Sequence, residues 1–179
     1  MNTLTNSELP AQSALTGRIK KRGFCDALSF ELPDQQRSPS QVYVDVFGHL
    51  PNIVETLMAL RNRLVAPLGF AASAEKMTLR VEDLRQGQGI GLHQVELLSD
   101  TEIICTSEDK HMQVSLSVVK LAPGRFTLST LVNTRTWIGY AYLLAIIPFH
   151  KLIAAASIRA MLKRAVSYTH LRAHETAMY

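Results

Sequence analysis

The spacing of apolar residues changes along the chain, and each spacing predicts one kind of element. The run from Phe24 to Leu32 predicts a first strand. A polar loop over residues 34–41 follows, and then a short segment, Val42 to Leu50, whose type the pattern does not decide. Apolar residues next recur every three or four positions and predict a helix from Pro51 to Ala66.

Beyond Ala74 the apolar period falls to two, which is typical of strands in a half-buried sheet. Five strands are predicted: Met77 to Leu84, Leu92 to Leu98, Thr101 to Ser107, His111 to Lys120 and Arg125 to Thr134. In the fourth, Met112, Val114, Leu116 and Val118 face one way, and His111, Gln113, Ser115 and Ser117 face the other. Short connections predict an antiparallel meander with one buried face and one wet face.

The last apolar segment, Trp137 to Leu162, begins with thirteen successive uncharged residues. A membrane span needs roughly 18 to 20 such residues, and here His150 and Lys151 interrupt the run. Pro148 also removes a backbone donor and predicts a bend. We therefore expect no integral membrane span. The segment is interpreted as a long terminal helix that covers the apolar face of the sheet.

Strand, helix, antiparallel strands and terminal helix, in that order, predict an α+β helix-grip fold, in which the sheet wraps around the C-terminal helix. We expect a single domain over residues 17–165. Residues 1–16 are rich in Ser, Thr and Asn and predict a disordered lead-in. They lack the basic start and apolar run of a secretory signal, so we expect a cytoplasmic protein.

Composition narrows the classes of partner. The formal net charge of +4 is diffuse, and the basic cluster Arg18 to Arg22 has no interleaved aromatic residues, so we expect no nucleic-acid partner. Two cysteines are too few for a disulfide framework or a zinc site, and we expect no metal and no cofactor. The oligomeric state is left open.

Three separated phrases of the sequence resemble one bacterial family. Leu57 to Phe70, Glu108 to Val118 and Tyr140 to Ile153 are similar to signatures of the family known as domain of unknown function 2867. The resemblance covers most of Asp26 to Leu162. It implies a fold related to the START and Bet v 1-like proteins, with a cavity between the sheet and the terminal helix. It implies no reaction, since a fold does not carry a function with it.

The C-terminal run from Val166 to Thr176 resembles the translation of a sequencing-library adapter. We therefore expect residues 166–179 to be foreign to the native domain, and His170 and His174 not to form a metal pair.

Candidate functional residues are few, and no catalytic motif is present. The glycines at 87, 89 and 91 lead into a strand, so they do not fit a dinucleotide loop. His150, in the apolar segment, and His111, after an acidic turn, are the two candidate acid–base residues, although both also fit structural positions. The candidate ligand-binding residues are His150, Trp137, Tyr140, Tyr142, Phe149, Arg61, Asn62 and His111.

Three functions fit these residues. The first is binding of a small apolar or amphipathic ligand between sheet and terminal helix, without catalysis. The second is a cyclase-like or hydratase-like enzyme that uses His150 or His111. The third is peripheral membrane association through Trp137 to Phe149, aided by the basic residues Lys151, Arg159, Lys163 and Arg164.

Overall fold

The structure is a computed structural model that describes residues 4–70, 79–87 and 93–176, with side chains up to residue 167. The strands are β1 (Thr5–Ser7), β2 (Gly23–Glu31), β3 (Gln94–Leu98), β4 (Glu102–Glu108), β5 (Met112–Ala122) and β6 (Arg125–Thr134). The helices are α1 (Pro39–Phe47), α2 (Asn52–Val65), α3 (Val81–Arg85) and α4 (Trp137–Thr176), with a 3-10 turn at Ala66–Leu68.

The six strands form one antiparallel sheet in the order β1-β2-β6-β5-β4-β3. Strands β3 to β6 are a meander, and β2 returns to pair with β6 along its whole length. The long helix α4 follows β6 directly and packs on the sheet. The predicted α+β class and helix-grip-like arrangement are confirmed, as are the first strand, the helix after Pro51 and the four meander strands.

The polar loop predicted over residues 34–41 is too long, because helix α1 begins at Pro39. The Ser38 side chain accepts a hydrogen bond from the Gln41 backbone N–H, and the Gln41 side chain accepts one from the Ser38 N–H. This reciprocal pair is a capping box, and Pro39 occupies the first helical position, where its missing N–H has no cost. The polar composition therefore marked a helix start, and the undecided segment after it is helical as far as Phe47.

A second correction concerns the strand predicted from Met77 to Leu84. Residues 77 and 78 lie outside the described residues, and Val81–Arg85 is the short helix α3. Its first turn carries Glu82 and Asp83, whose charges complement the helix N-terminus, and it buries Leu84 in the core. Helix α3 therefore contributes to the core through Leu84 and does not pair with the sheet.

The main core lies between the sheet and its helices. We call the sheet side that bears Phe30, Leu28 and Val118 the helix face. Helix α1 packs Tyr43 against it, and the second half of α4 adds Ile158. The first half of α4 packs over a separate cluster that contains Val65, Phe70, Met112, Val132 and Leu143.

The opposite side of the sheet differs from the predicted wet face. Ser115 and Ser117 are buried there because the N-terminal segment lies over them. Leu15 is fully buried against Ile104 and Leu131. Residues 4–16 therefore contain strand β1 and buried side chains, where the sequence suggested a disordered lead-in.

A buried carboxylate fixes this N-terminal segment. Glu102 is 5% exposed and accepts hydrogen bonds from the Ser13 hydroxyl at 2.6 Å, the Ala14 N–H at 2.8 Å and the Ser117 hydroxyl at 2.6 Å. A buried carboxylate is stable only when its oxygens are hydrogen-bonded in this way. Glu102 is therefore the point at which the sheet holds the N-terminal segment.

We predict that Glu102→Leu lowers the free energy of unfolding by at least about 2 kcal/mol, because two buried hydroxyl groups and the partly buried Ala14 N–H lose their acceptor. Chemical denaturation measures the loss, and limited proteolysis should become faster within residues 4–17. Glu31→Leu is the matched control, since Glu31 pairs with Arg125 at an exposed position. Equal stability of the two variants would show that Glu102 does not hold the segment.

Helix α4 runs without ending through Pro148, where the sequence predicted a bend. The proline lies on the exposed side of the helix, and the carbonyl four residues earlier belongs to the exposed Leu144. That carbonyl is therefore not trapped in the core. Helix α4 also continues beyond Ala165, through the adapter-like run to Thr176.

Candidate functional site

An apolar pocket of about 230 Å³ lies between the helix face of the sheet and helices α1, α2 and α4. Most of its wall is hydrocarbon, contributed by Phe24, Phe47, Val54, Met58, Met112, Val114, Leu116, Leu128, Val132, Ile146, Ile147 and Ile153. Polar groups reach it from Arg61, Thr130, Tyr142, His150 and Ser157. A mostly apolar wall with a few placed polar groups is the usual form of a small-molecule site.

His150 is the only histidine among the described residues that line this wall. Its Nε2 atom is buried and has no hydrogen-bond partner within the described residues. The nearest carboxylate oxygen, Asp26 Oδ2, is 3.9 Å away, which is too long for a hydrogen bond. The ring of Phe24 stands edge-on to the imidazole, with 5.8 Å between centroids. A buried nitrogen without a partner is costly for the empty fold and favours a polar ligand atom.

Burial lowers the pKa of His150 because it penalises the charged imidazolium. The Asp26 carboxylate raises this pKa, and the neighbouring Lys151 ammonium lowers it. Burial is the largest of the three effects, so the imidazole is neutral at neutral pH. A neutral ring can donate or accept one hydrogen bond at Nε2, according to its tautomer.

We predict opposite pKa changes in two variants of the surrounding charges. Asp26→Asn should lower the pKa of His150 further, and Lys151→Gln should raise it, because each removes one of the two charges that act on the ring. An NMR titration of the His150 ring protons measures both changes. Shifts of the same sign in the two variants would contradict the placement of His150 between these charges.

The lowered pKa also predicts how stability depends on pH. Below about pH 6.5 the unfolded chain binds a proton at this histidine that the folded chain resists. The free energy of unfolding should therefore fall as the pH decreases from about 6.5 through the folded-state pKa. His150→Phe should remove this part of the pH dependence, as measured by denaturation at several pH values. The exposed His49, changed to Gln, should leave it intact.

Arg61 and Tyr142 meet at the α2 end of the pocket. The Arg61 Nε–H donates to Tyr142 Oη at 2.7 Å, and the guanidinium lies over the tyrosine ring at 5.4 Å. Arg61 Nη1 also donates to Asn62 Oδ1 at 3.0 Å. Of these predicted ligand residues, Arg61 and Tyr142 line the pocket, and Asn62 contacts Arg61 without lining the pocket itself. The arginine thereby links α2 to α4 as well as forming part of the wall.

His111 lies outside the pocket, in a structural position. Its Nε2–H donates to the Leu68 carbonyl at 2.8 Å, and its Nδ1 accepts from the Thr136 hydroxyl at 2.8 Å. The ring also stacks on Phe70 with 4.5 Å between centroids. Both ring nitrogens are therefore used to join the end of α2, strand β5 and the start of α4. A Cβ atom at Gly139 would lie 2.5 Å from the His111 carbonyl oxygen, so this close packing requires glycine.

The remaining aromatic candidates do not form the pocket wall. Trp137 and Phe149 are 71% and 55% exposed and point away from the sheet. Tyr140 is partly buried and lies edge-on to Trp137. The reason is helical geometry: Tyr142, Ile146, His150, Ile153 and Ser157 share the side that faces the sheet. Because both sides of α4 are apolar, the pattern did not show which aromatic residues face inward.

Two functional candidates were missed in the sequence. Asp26 lies on the helix face of β2, between Phe24 and Leu28, so an acid at an apolar position of the alternation was the available signal. His93 Nδ1 and Tyr43 Oη share a hydrogen bond of 2.6 Å. Burial lowers the pKa of His93 to about 4. No local pattern marked His93, because its partner is fifty residues away.

A second depression, of about 310 Å³, lies on the N-terminal side of the sheet, between residues 7–19 and β2. Its nucleophilic side chain is Cys25, whose pKa is raised by burial and by Asp26. In the core, burial raises the pKa of Cys105 to about 11. Neither thiol is activated as a catalytic nucleophile.

The segment Trp137–Ser167 is long and apolar enough to cross a membrane, judged by length and composition within the described residues. Its mean hydropathy is 1.7, and 17% of its most apolar window is buried. Core helices of soluble proteins meet the same criteria, so this is weak evidence for a span. No integral span is shown, and the expected absence of one stays a prediction.

The comparison with known families agrees with the resemblance of the three phrases. Residues 18–157 match the model of a family described as protein of unknown function (DUF2867). The match covers well over half of the chain, and the chain belongs to this family. No curated protein and no solved structure matches the chain.

Proposed function

We propose that this member of the DUF2867 family binds a small apolar or amphipathic molecule in the pocket between the sheet and α4. The observation that carries the proposal is an apolar pocket whose wall contains a buried nitrogen, His150 Nε2, with no hydrogen-bond partner among the residues that the structure describes. An apolar cavity of about 150 Å³ is large enough to bind benzene. At about 230 Å³ this pocket has room for a somewhat larger molecule, although less than most drug-sized ligands need.

The charges around His150 favour a neutral head group on the ligand. The imidazole is uncharged at neutral pH, and the Asp26 carboxylate lies 3.9 Å from its Nε2 atom, so a ligand carboxylate placed there would be repelled. At the α2 end, the Arg61 guanidinium already donates to Tyr142 and Asn62. A hydroxyl or carbonyl group at His150, with an apolar body along α4, fits this arrangement best.

The family and the fold support the proposal by analogy alone. A sheet that packs against a long C-terminal helix resembles the START and Bet v 1-like arrangement, in which a cavity lies between these elements. Folds host unrelated functions, so the residues of the pocket carry the argument.

A second candidate function is acid–base catalysis of the cyclase or hydratase kind. The observation in its favour is that the neutral imidazole of His150 lines an apolar pocket, with the Asp26 carboxylate 3.9 Å from its Nε2 atom. His111 is not available for this role, since both of its ring nitrogens are hydrogen-bonded elsewhere. Catalysis would therefore require His150. Any turnover that survives the His150→Asn substitution would exclude His150 as the acid–base residue.

Ligand binding is testable with N-phenyl-1-naphthylamine, a neutral dye whose emission increases in apolar sites. The full chain should bind it, and Val114→Phe should weaken binding by about tenfold or more, because the larger ring fills the pocket. Val81→Phe on α3 is the matched control, since residue 81 does not line the pocket. Circular dichroism and thermal melting confirm that both variants fold. Equal dye binding by the two variants would contradict the proposal.

The head group is tested by competition. Decan-1-ol should displace the dye at lower concentration than decanoate does, because the neutral hydroxyl can hydrogen-bond to His150 beside Asp26. His150→Phe keeps a ring of similar shape and should remove most of the difference between the two competitors. Better displacement by decanoate would place the head group at Arg61. Native mass spectrometry of protein purified from cells should show a co-purifying small molecule.

A further inference from the structure

The side of α4 that faces away from the sheet is apolar and exposed. We call it the outer stripe and define it by Trp137, Ile138, Leu144, Phe149 and Leu152, which are between 52% and 71% exposed. These residues recur at helical spacing over four turns, a length of about 23 Å. Exposed apolar surface of this extent on a folded domain marks an interaction site.

Positive charge lies at both ends of the outer stripe. At its start, the Arg22 guanidinium lies 4.3 Å above the Trp137 ring. At its end, Arg159 and Lys163 follow on the same side of the helix, and both are exposed. The sequence has no Asp or Glu from Trp137 to His174. The surface that meets this stripe should therefore be apolar inside and negatively charged at its boundary.

We infer that the outer stripe docks α4 in the plane of an anionic membrane surface. A helix with apolar and aromatic residues on one side and basic residues at its margins binds the boundary between head groups and acyl chains. Trp137, beside a cation at the end of the stripe, fits the aromatic residues found at that depth. The helix lies flat because its other side is occupied: Leu143, Ile158 and Met161 are buried in the fold.

Charge also argues against a second copy of the chain as the occupant. In a two-fold dimer built stripe to stripe, the basic ends would meet basic residues, and α4 offers no carboxylate before Glu175 to neutralise them. Like charges brought together at an interface oppose association. An anionic lipid surface satisfies both the apolar centre and the basic ends.

Trp137 provides a built-in probe, because it is the only tryptophan in the sequence. The full chain should be mixed with phosphatidylcholine vesicles, either pure or containing roughly 30% phosphatidylglycerol. With the anionic vesicles, the tryptophan emission should shift to shorter wavelength and the protein should float with the lipid. Trp137 does not line the pocket, so filling the pocket with dye should leave its emission wavelength unchanged.

Two pairs of variants separate the apolar and the charged contributions. The double variant Leu144→Ser with Leu152→Ser should abolish flotation, whereas Leu98→Ser with Leu121→Ser, at exposed positions of the sheet, should leave it intact. Arg159→Gln with Lys163→Gln should weaken binding to anionic vesicles by about tenfold or more. The charge-matched control is Arg80→Gln with Arg85→Gln, near α3, which should bind like the unaltered chain.

The inference is overturned if the full chain does not bind the anionic vesicles, or if both double leucine variants bind them equally well. It is also overturned if light scattering shows a dimer that the Leu144→Ser, Leu152→Ser variant loses while vesicle binding is absent. Circular dichroism of each variant excludes unfolding as the cause. These results do not depend on the dye experiment, so membrane docking and ligand binding can fail separately.

Discussion

The packing of one side of α4 on the helix face of the sheet is the contact on which the other features depend. An antiparallel sheet with an apolar face is stable only when another layer covers that face. Helix α4 supplies this cover with Leu143 in its first half and Ile158 in its second. Between these two contacts the helix and the sheet enclose the pocket, and His150 is placed in its wall by the same helical repeat. The pocket is thus a consequence of how α4 is held at both ends.

Two buried polar groups fix the layers that apolar contacts alone would leave free to slide. His111 joins the end of α2, strand β5 and the start of α4 through Leu68, Thr136 and its own backbone. Glu102 joins the N-terminal segment to the other side of the sheet. Apolar contact is not directional, whereas a hydrogen bond to a buried group fixes one geometry, because the alternative is an unsatisfied donor or acceptor.

The sequence predicted the elements whose hydrophobic period is long and regular. Strands β4 to β6 and helix α2 have this property, and so the fold class followed from them. The site was predicted less completely, because α4 is apolar on both sides and its sequence pattern does not show which side faces the sheet. Of the predicted residues, His150 and Tyr142 line the pocket, whereas Trp137 and Phe149 lie on the opposite side of α4. His93 and Glu102 depend on partners distant in sequence, which no local pattern reports.

Helix α4 combines two apolar surfaces that a soluble core helix does not usually combine. Its inner side lines the pocket, and its outer side is exposed between basic residues. A helix that served only to cover the sheet would carry polar residues outside, as amphipathic helices in globular proteins do. Exposing this apolar outer side to water is therefore an energetic cost that folding does not require. The proposed membrane docking would explain this cost, and it would place the pocket one helix diameter from the lipid in which an apolar ligand dissolves.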